Sequence, residues 1–241
     1  MFYRIFILFA FLFVVSAHAQ QSNKDKVQAQ VNETIKELDW GGLDRYSQIN
    51  NKSKVLDNKP DAVFMGNSIT EGWSMILPDF FSENNFINRG IGGQTTPQML
   101  IRFRQDVINL KPKSVVILAG INDIANNTKF YSIEVIAENI FSMVELAKAN
   151  GIIPIICSVL PADKFAWNPN ILPAASVVKL NLLLESYAVQ NEVLYLNYFD
   201  KMNNDKGGLQ DELTSDGVHV TKKGYELMSK LSKEFVSNAI K

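Results

Sequence analysis

Beyond residue 60 the hydrophobic positions fall into two alternating kinds of segment. Short apolar, β-branched runs stand at Ala62–Met65, Phe86–Ile87, Val115–Ala119, Ile152–Val159 and Val193–Leu196. Between them lie longer stretches in which apolar residues recur at helical spacing, at about Pro97–Leu110, Ser132–Asn150, Ala174–Gln190 and Lys222–Ala239. Buried strands that alternate with amphipathic helices predict βαβ units, hence a parallel sheet with helices on both faces. The punctuation agrees. Gly151 follows Lys148-Ala149-Asn150, as at a helix C-terminus, and Thr221 is placed to cap the last helix. Before residue 60 the pattern is weaker. Residues 20–30 are polar and read as a frayed leader, and Val31 to about Val55 is weakly helical, broken by Trp40-Gly41-Gly42.

The first residues carry a different pattern. Arg4 precedes an eleven-residue apolar run, Ile5–Val15, and then Ser16-Ala17-His18-Ala19. A short positive region, an apolar core and an Ala-x-Ala site predict a signal peptide over 1–19, cleaved after Ala19. The run is too short for a spanning helix, which needs about 20 apolar residues. No cysteine lies near the cleavage point, so an exported protein, periplasmic or secreted, is expected without stable membrane insertion. The remaining 222 residues suit one domain. They carry 23 basic and 25 acidic side chains, a balance of −2 that offers no footprint for nucleic acid or an anionic membrane. Cys157 is the single cysteine; it sits in an apolar run and reads as a buried strand residue.

Chemistry-bearing residues gather where strands end, which is where ligands bind in open α/β sheets. Gly66-Asn67-Ser68-Ile69-Thr70 places a serine at a strand-to-helix turn, its amide at a helix N-terminus suited to a developing negative charge. Thr70 stands where a Gly-x-Ser-x-Gly elbow would need glycine, and a serine there could equally be a plain helix cap. Asn88-Arg89-Gly90-Ile91-Gly92-Gly93-Gln94-Thr95-Thr96 follows the second run, with glycines that let backbone approach a ligand but without dinucleotide spacing. Gly120-Ile121-Asn122-Asp123 closes the third run, and an asparagine amide is a neutral donor for an oxyanion. Asp216-Gly217-Val218-His219 sets an aspartate three residues before the only histidine left after cleavage. Histidine is the side chain whose unperturbed pKa suits a general base at neutral pH, and a carboxylate can orient it.

Gly-Asn-Ser-Ile, Gly-Ile-Gly-Gly, Gly-Ile-Asn-Asp and Asp-Gly-Val-His together resemble the four blocks of the SGNH hydrolases, the GDSL esterase/lipase family. The likeness runs from about residue 61 to 225 and is nearest the platelet-activating-factor acetylhydrolase-like and carbohydrate-deacetylating branch. It departs from the pattern at Asn67, where the family name carries aspartate. The resemblance implies a three-layer α/β/α fold with a five-stranded parallel sheet, flavodoxin-like, over residues 57–241, with 20–56 a leader and helical segment. It implies Ser68 as nucleophile, His219 as base and Asp216 as the orienting acid. The implied oxyanion hole is the Ser68 amide, the Gly93 amide (or that of Gly92) and the Asn122 side chain. No metal or other cofactor is implied, since one histidine and one buried cysteine make no zinc site.

The expected reaction is hydrolysis of short acyl esters, acetyl above all, on a carbohydrate or other small molecule, rising with pH as the imidazole becomes neutral. Asn67, Trp73, Asp123, Phe165 and Trp167 are candidate substrate contacts; Phe165 and Trp167 could instead pack their loop down. A lysophospholipid or other lipid ester is the second substrate reading, a thioester or amide a third. A non-catalytic carbohydrate-binding protein is the alternative of another class.

Overall fold

The computed structural model describes residues 21, 24–28, 30, 31, 34, 38–53 and 59–241. The predicted signal peptide lies outside the described residues. By packing, the chain divides into Met1–Gly42 and Leu43–Lys241. In the first unit the described residues up to Leu38 are helical, and Thr34 donates a hydrogen bond to the Gln30 carbonyl one turn back.

The second unit opens with helix α1 (Ser47–Ser53) and carries five strands: β1 (Ala62–Gly66), β2 (Phe86–Gly90), β3 (Ser114–Leu118), β4 (Ile153–Cys157) and β5 (Leu194–Leu196). All pair in parallel, in the order β2-β1-β3-β4-β5. Every residue of β1 and β3 is buried, as the continuous apolar runs require of strands covered on both faces.

Connection handedness explains the layers. The chain leaves β1 for the β2 edge through α2 (Ser68–Ile76) and α3 (Pro78–Ser82), then reverses across the sheet. Right-handed crossovers therefore place α4 (Thr96–Asp106), α6 (Ile133–Ala149) and α7 (Ala174–Gln190) on the opposite face from α2. Neighbour contacts agree: α4 packs on α6 and α6 on α7, whereas α9 (Lys222–Ala239) packs on α2. Two four-residue helices, α5 (Ile121–Ile124) and α8 (Phe199–Met202), complete the set.

The two faces are filled differently. Under α2 and α9 lies an aromatic cluster in which Phe64 meets Trp73, Phe80, Phe81 and Phe86 at centroid distances of 5.2–5.8 Å. Trp73 stacks on both Phe80 and Tyr225 and donates its indole N–H to Ser229 at 3.0 Å. The other face is mainly aliphatic, with Ile136, Ile140, Val144, Leu180 and Leu184 fully buried. The predicted end of α6 closes as a Schellman cap, with Ile152 N–H bonded to Ala147 and Gly151 N–H to Lys148. Thr221 caps α9 through the Gly224 amide.

Candidate active site

Ser68 is the first residue of α2, entered directly from β1. The cap of this helix is Asn67, whose Oδ1 accepts from Ile69 N–H at 3.0 Å, so the serine side chain is spared the capping task. Tyr225, reaching from α9, donates to the Ile69 carbonyl at 2.8 Å and holds the first turn in place.

Ser68 Oγ lies 3.1 Å from His219 Nε2, across 151 residues of sequence. His219 Nδ1 lies 2.7 Å from Asp216 Oδ2. The two oxygens of Asp216 divide the work. Oδ1 accepts from the Val218 and His219 amides at 2.9 and 2.7 Å and closes the turn; Oδ2 orients the ring. Gly217 makes that turn possible at φ +93°, a backbone region that side chains other than glycine's rarely adopt. Thr214 anchors the turn from below by donating to the His219 carbonyl at 2.8 Å. Burial alone would raise the Asp216 pKa, but bonds from the His219 ring and from the His219 and Val218 amides outweigh it, so the carboxyl sits below its ordinary value. It is therefore ionised at neutral pH. The side chains of His219 and Asp216 are 44% and 34% exposed, so the site is open to solvent.

Of the two candidate loop amides, Gly92 N–H is engaged by Glu71 Oε2 at 2.9 Å, and Glu71 is held in turn by Arg45 at 2.9 Å. Gly93, at φ +77°, has no acceptor for its amide among the described residues. Of the two amides, only that of Gly93 is unengaged among the described residues. Asn122, 4% exposed, is fixed by its Nδ2 bond to the Gln94 carbonyl at 2.9 Å.

The candidate substrate contacts separate sharply. Trp73 is 1% exposed and belongs to the aromatic core. Asn67 is equally buried; it serves the helix cap, and its Nδ2 has no partner among the described residues. Asp123 is fully buried, accepting from the Thr96 amide and hydroxyl at 2.7–3.0 Å. Burial raises its pKa to about 6, against the pull of those bonds. Phe165 packs down at 1% exposed. Trp167 alone stands at the mouth: it is 45% exposed, with its ring 6.2 Å from that of His219. Its indole donates to Asn127 at 3.3 Å, and Asn168 beside it donates to the Ala125 carbonyl. Cys157 is buried, which pushes its thiol pKa up.

Beneath the site lies a layer the motifs do not announce. Arg102 and Asp106 are fully buried and bonded at 2.9 Å, joined by Arg89 and Asn50. Burial lowers the pKa of both arginines, and Asp106 opposes this. The sequence does carry a signal for this layer: Arg102 and Asp106 fall on the same face of α4 as the buried Met99 and Phe103.

The sequence profile of the GDSL-like Lipase/Acylhydrolase family matches residues 64–227. The solved structure of an acylhydrolase candidate from Bacteroides fragilis NCTC 9343 is 46% identical, with a TM-score of 0.80 over 84% of this chain and 99% of that one. The platelet-activating factor acetylhydrolase IB subunit alpha2 of Homo sapiens is 27% identical over 205 residues, 82% of this chain and 86% of that protein. An uncharacterised lipoprotein of Bacillus subtilis (strain 168) is 34% identical over 118 residues, so the match spans about half of that relative (49%) and 42% of this chain. A parallel five-stranded α/β fold with a serine just past β1 beside a histidine–aspartate pair agrees with the profile match, and the chain belongs to the GDSL-like lipase/acylhydrolase family of enzymes.

Proposed function

We propose that this acylhydrolase is a serine esterase that removes short acyl groups, acetyl first among them, from a carbohydrate or other small hydroxylated carrier. The observation that carries the reading is the unbroken Ser68–His219–Asp216 relay at 3.1 and 2.7 Å. His219 takes the Ser68 proton as Oγ attacks the ester carbonyl. The oxyanion then lies against the Ser68 and Gly93 amides and Asn122 Nδ2. His219 returns the proton to the leaving alcohol, and water repeats the sequence on the acyl-enzyme to release the acid.

Short acyl groups are favoured because the human relative at 27% identity is named an acetylhydrolase. The half-exposed Trp167 ring near His219 offers a flat apolar surface for a sugar ring. A lipid ester is the second reading. Phe130 (76% exposed) and Leu172 (78%), on loops that also follow β3 and β4, would add apolar surface for a longer chain. Export is part of the proposal, resting on the leader pattern of residues 1–19 and on the lipoprotein relative. No helix among the described residues is long and apolar enough to cross a membrane.

Acetate release from acetylated xylo-oligosaccharides, measured against hydrolysis of 4-nitrophenyl octanoate and a lysophospholipid, tests the substrate reading. Preference for the acetylated sugar is expected. Preference for the long-chain substrates would replace it with the lipid reading.

A further inference from the structure

Arg102 is a costly residue to bury, since a guanidinium without water must find partners for a rigid fork of donors. Here Nε donates to Gln94 Oε1 at 2.6 Å, Nη1 to the Arg89 carbonyl and Asp106 Oδ2 at 2.9 Å each, and Nη2 to the Gly66 carbonyl at 3.0 Å. Only the Asp106 contact lies within its own helix. The other three end on two segments of the active site. Gly66 is two residues before Ser68; Arg89 and Gln94 flank the loop that carries Gly93; and the Gln94 carbonyl receives Asn122 Nδ2. The Gly66 carbonyl also accepts from Ile91 at 3.1 Å, which joins the first two segments directly.

We propose that Arg102 is the positioning residue of the oxyanion hole: one buried guanidinium sets the β1 end and the Gly93 loop relative to each other and, through Gln94, the amide of Asn122. The inference rests on the proposed catalytic reading. Asp106 balances one positive charge while Asn50 bridges Asp106 to Arg89, at 2.6 Å to each. The guanidinium is thus held from the side away from the site. α1, which supplies Asn50, belongs to this support, as does Tyr46, whose ring lies 4.7 Å beneath the Arg89 guanidinium. Lysine keeps the charge but cannot span three directions with a planar fork, so Arg102→Lys is a severe change here.

Three donors must converge on one oxygen, and a misplacement of about 1 Å can cost on the order of 10²-fold. The test measures kcat, KM and Tm for Arg102→Lys, Gln94→Met and Asn122→Ala, and for the first two combined with Asn122→Ala. We expect Arg102→Lys and Gln94→Met each to lower kcat about 10- to 100-fold at nearly constant KM. In the Asn122→Ala background each loss should shrink, because part of what they position is already gone. Gln94→Met carries the test by itself if Arg102→Lys does not fold. Unchanged kcat in the folded variants, or losses that multiply in full with Asn122→Ala, would overturn the proposal while leaving the oxyanion hole intact. Full kcat in Asn122→Ala would remove the oxyanion-hole reading and the positioning role with it.

Discussion

At the rim of the site, His219 and Asp216 are partly exposed and held by one short turn, 214–219, whose bonds are almost all local. One layer down, Arg102 and Asp106 are fully buried and held by partners drawn from β1, β2, α1 and the Gly93 loop. Both regions are polar, and both serve the same strand ends. The rim can be read from a few consecutive residues because its geometry is made by a few consecutive residues. The layer beneath exists only once the chain has folded.

The comparison predicts different failures on mutation. At the rim, loss of function should come without loss of fold. Asp216→Ala removes both the orienting carboxylate oxygen and the turn-closing one, and kcat should fall by about 10³- to 10⁴-fold, read by steady-state kinetics. Retained activity would remove Asp216 from the relay. Asn122→Ala, at the boundary between the regions, should lose about 10²- to 10³-fold in kcat with little change in KM. Trp167 lies beside the proton relay, its ring 6.2 Å from that of His219, without a hydrogen bond to it among the described residues. Trp167→Ala should raise KM for an aryl or sugar ester several-fold and leave kcat nearly unchanged; a change in kcat alone would place Trp167 in the chemistry rather than beside it.

Asp123 sharpens the contrast through stability. Burial lifts its pKa to about 6, above its value in the unfolded chain, so the folded state holds a proton that the unfolded state has released. Between about pH 4 and 6 this group therefore costs the fold stability as pH rises. Asp123→Asn, which keeps an oxygen for Thr96, should gain in Tm relative to wild type as the pH is raised from 4 to 7. A Tm difference that is flat with pH would show that the Thr96 bonds compensate the burial in full.

Much of the architecture was legible. The five strands and four long helices coincide with the apolar runs and helical stretches because the central strands are buried throughout and each long helix buries one face. The short helices α3, α5 and α8 were not, since four or five residues are too few to show a period. Strand order lies outside any local pattern. Among the site residues, the first and third blocks put Ser68 and Asn122 directly after β1 and β3, whereas the Asp216–His219 turn lies well past β5 and just before α9; the engagement of Gly92 by Glu71 was not legible at all. Trp73 and Phe165 show where sequence is silent. An aromatic near a nucleophile has the same letters whether it faces substrate or core, and here the stacking with Phe80 and Tyr225 decides for the core. Arg102 and Asp106 present the opposite difficulty. A charged pair at i, i+4 reads as a surface ion pair, and only its phase with Met99 and Phe103 betrays burial.

The central claim, that Ser68 is the nucleophile of this acylhydrolase, is tested most directly by 4-nitrophenol release from 4-nitrophenyl acetate by wild type and by Ser68→Ala. A loss of about 10⁴-fold or more in kcat, with Tm unchanged, is the result expected when one member of the relay is removed. Equal rates in the two proteins would contradict the relay, the oxyanion hole and the positioning role of Arg102 together.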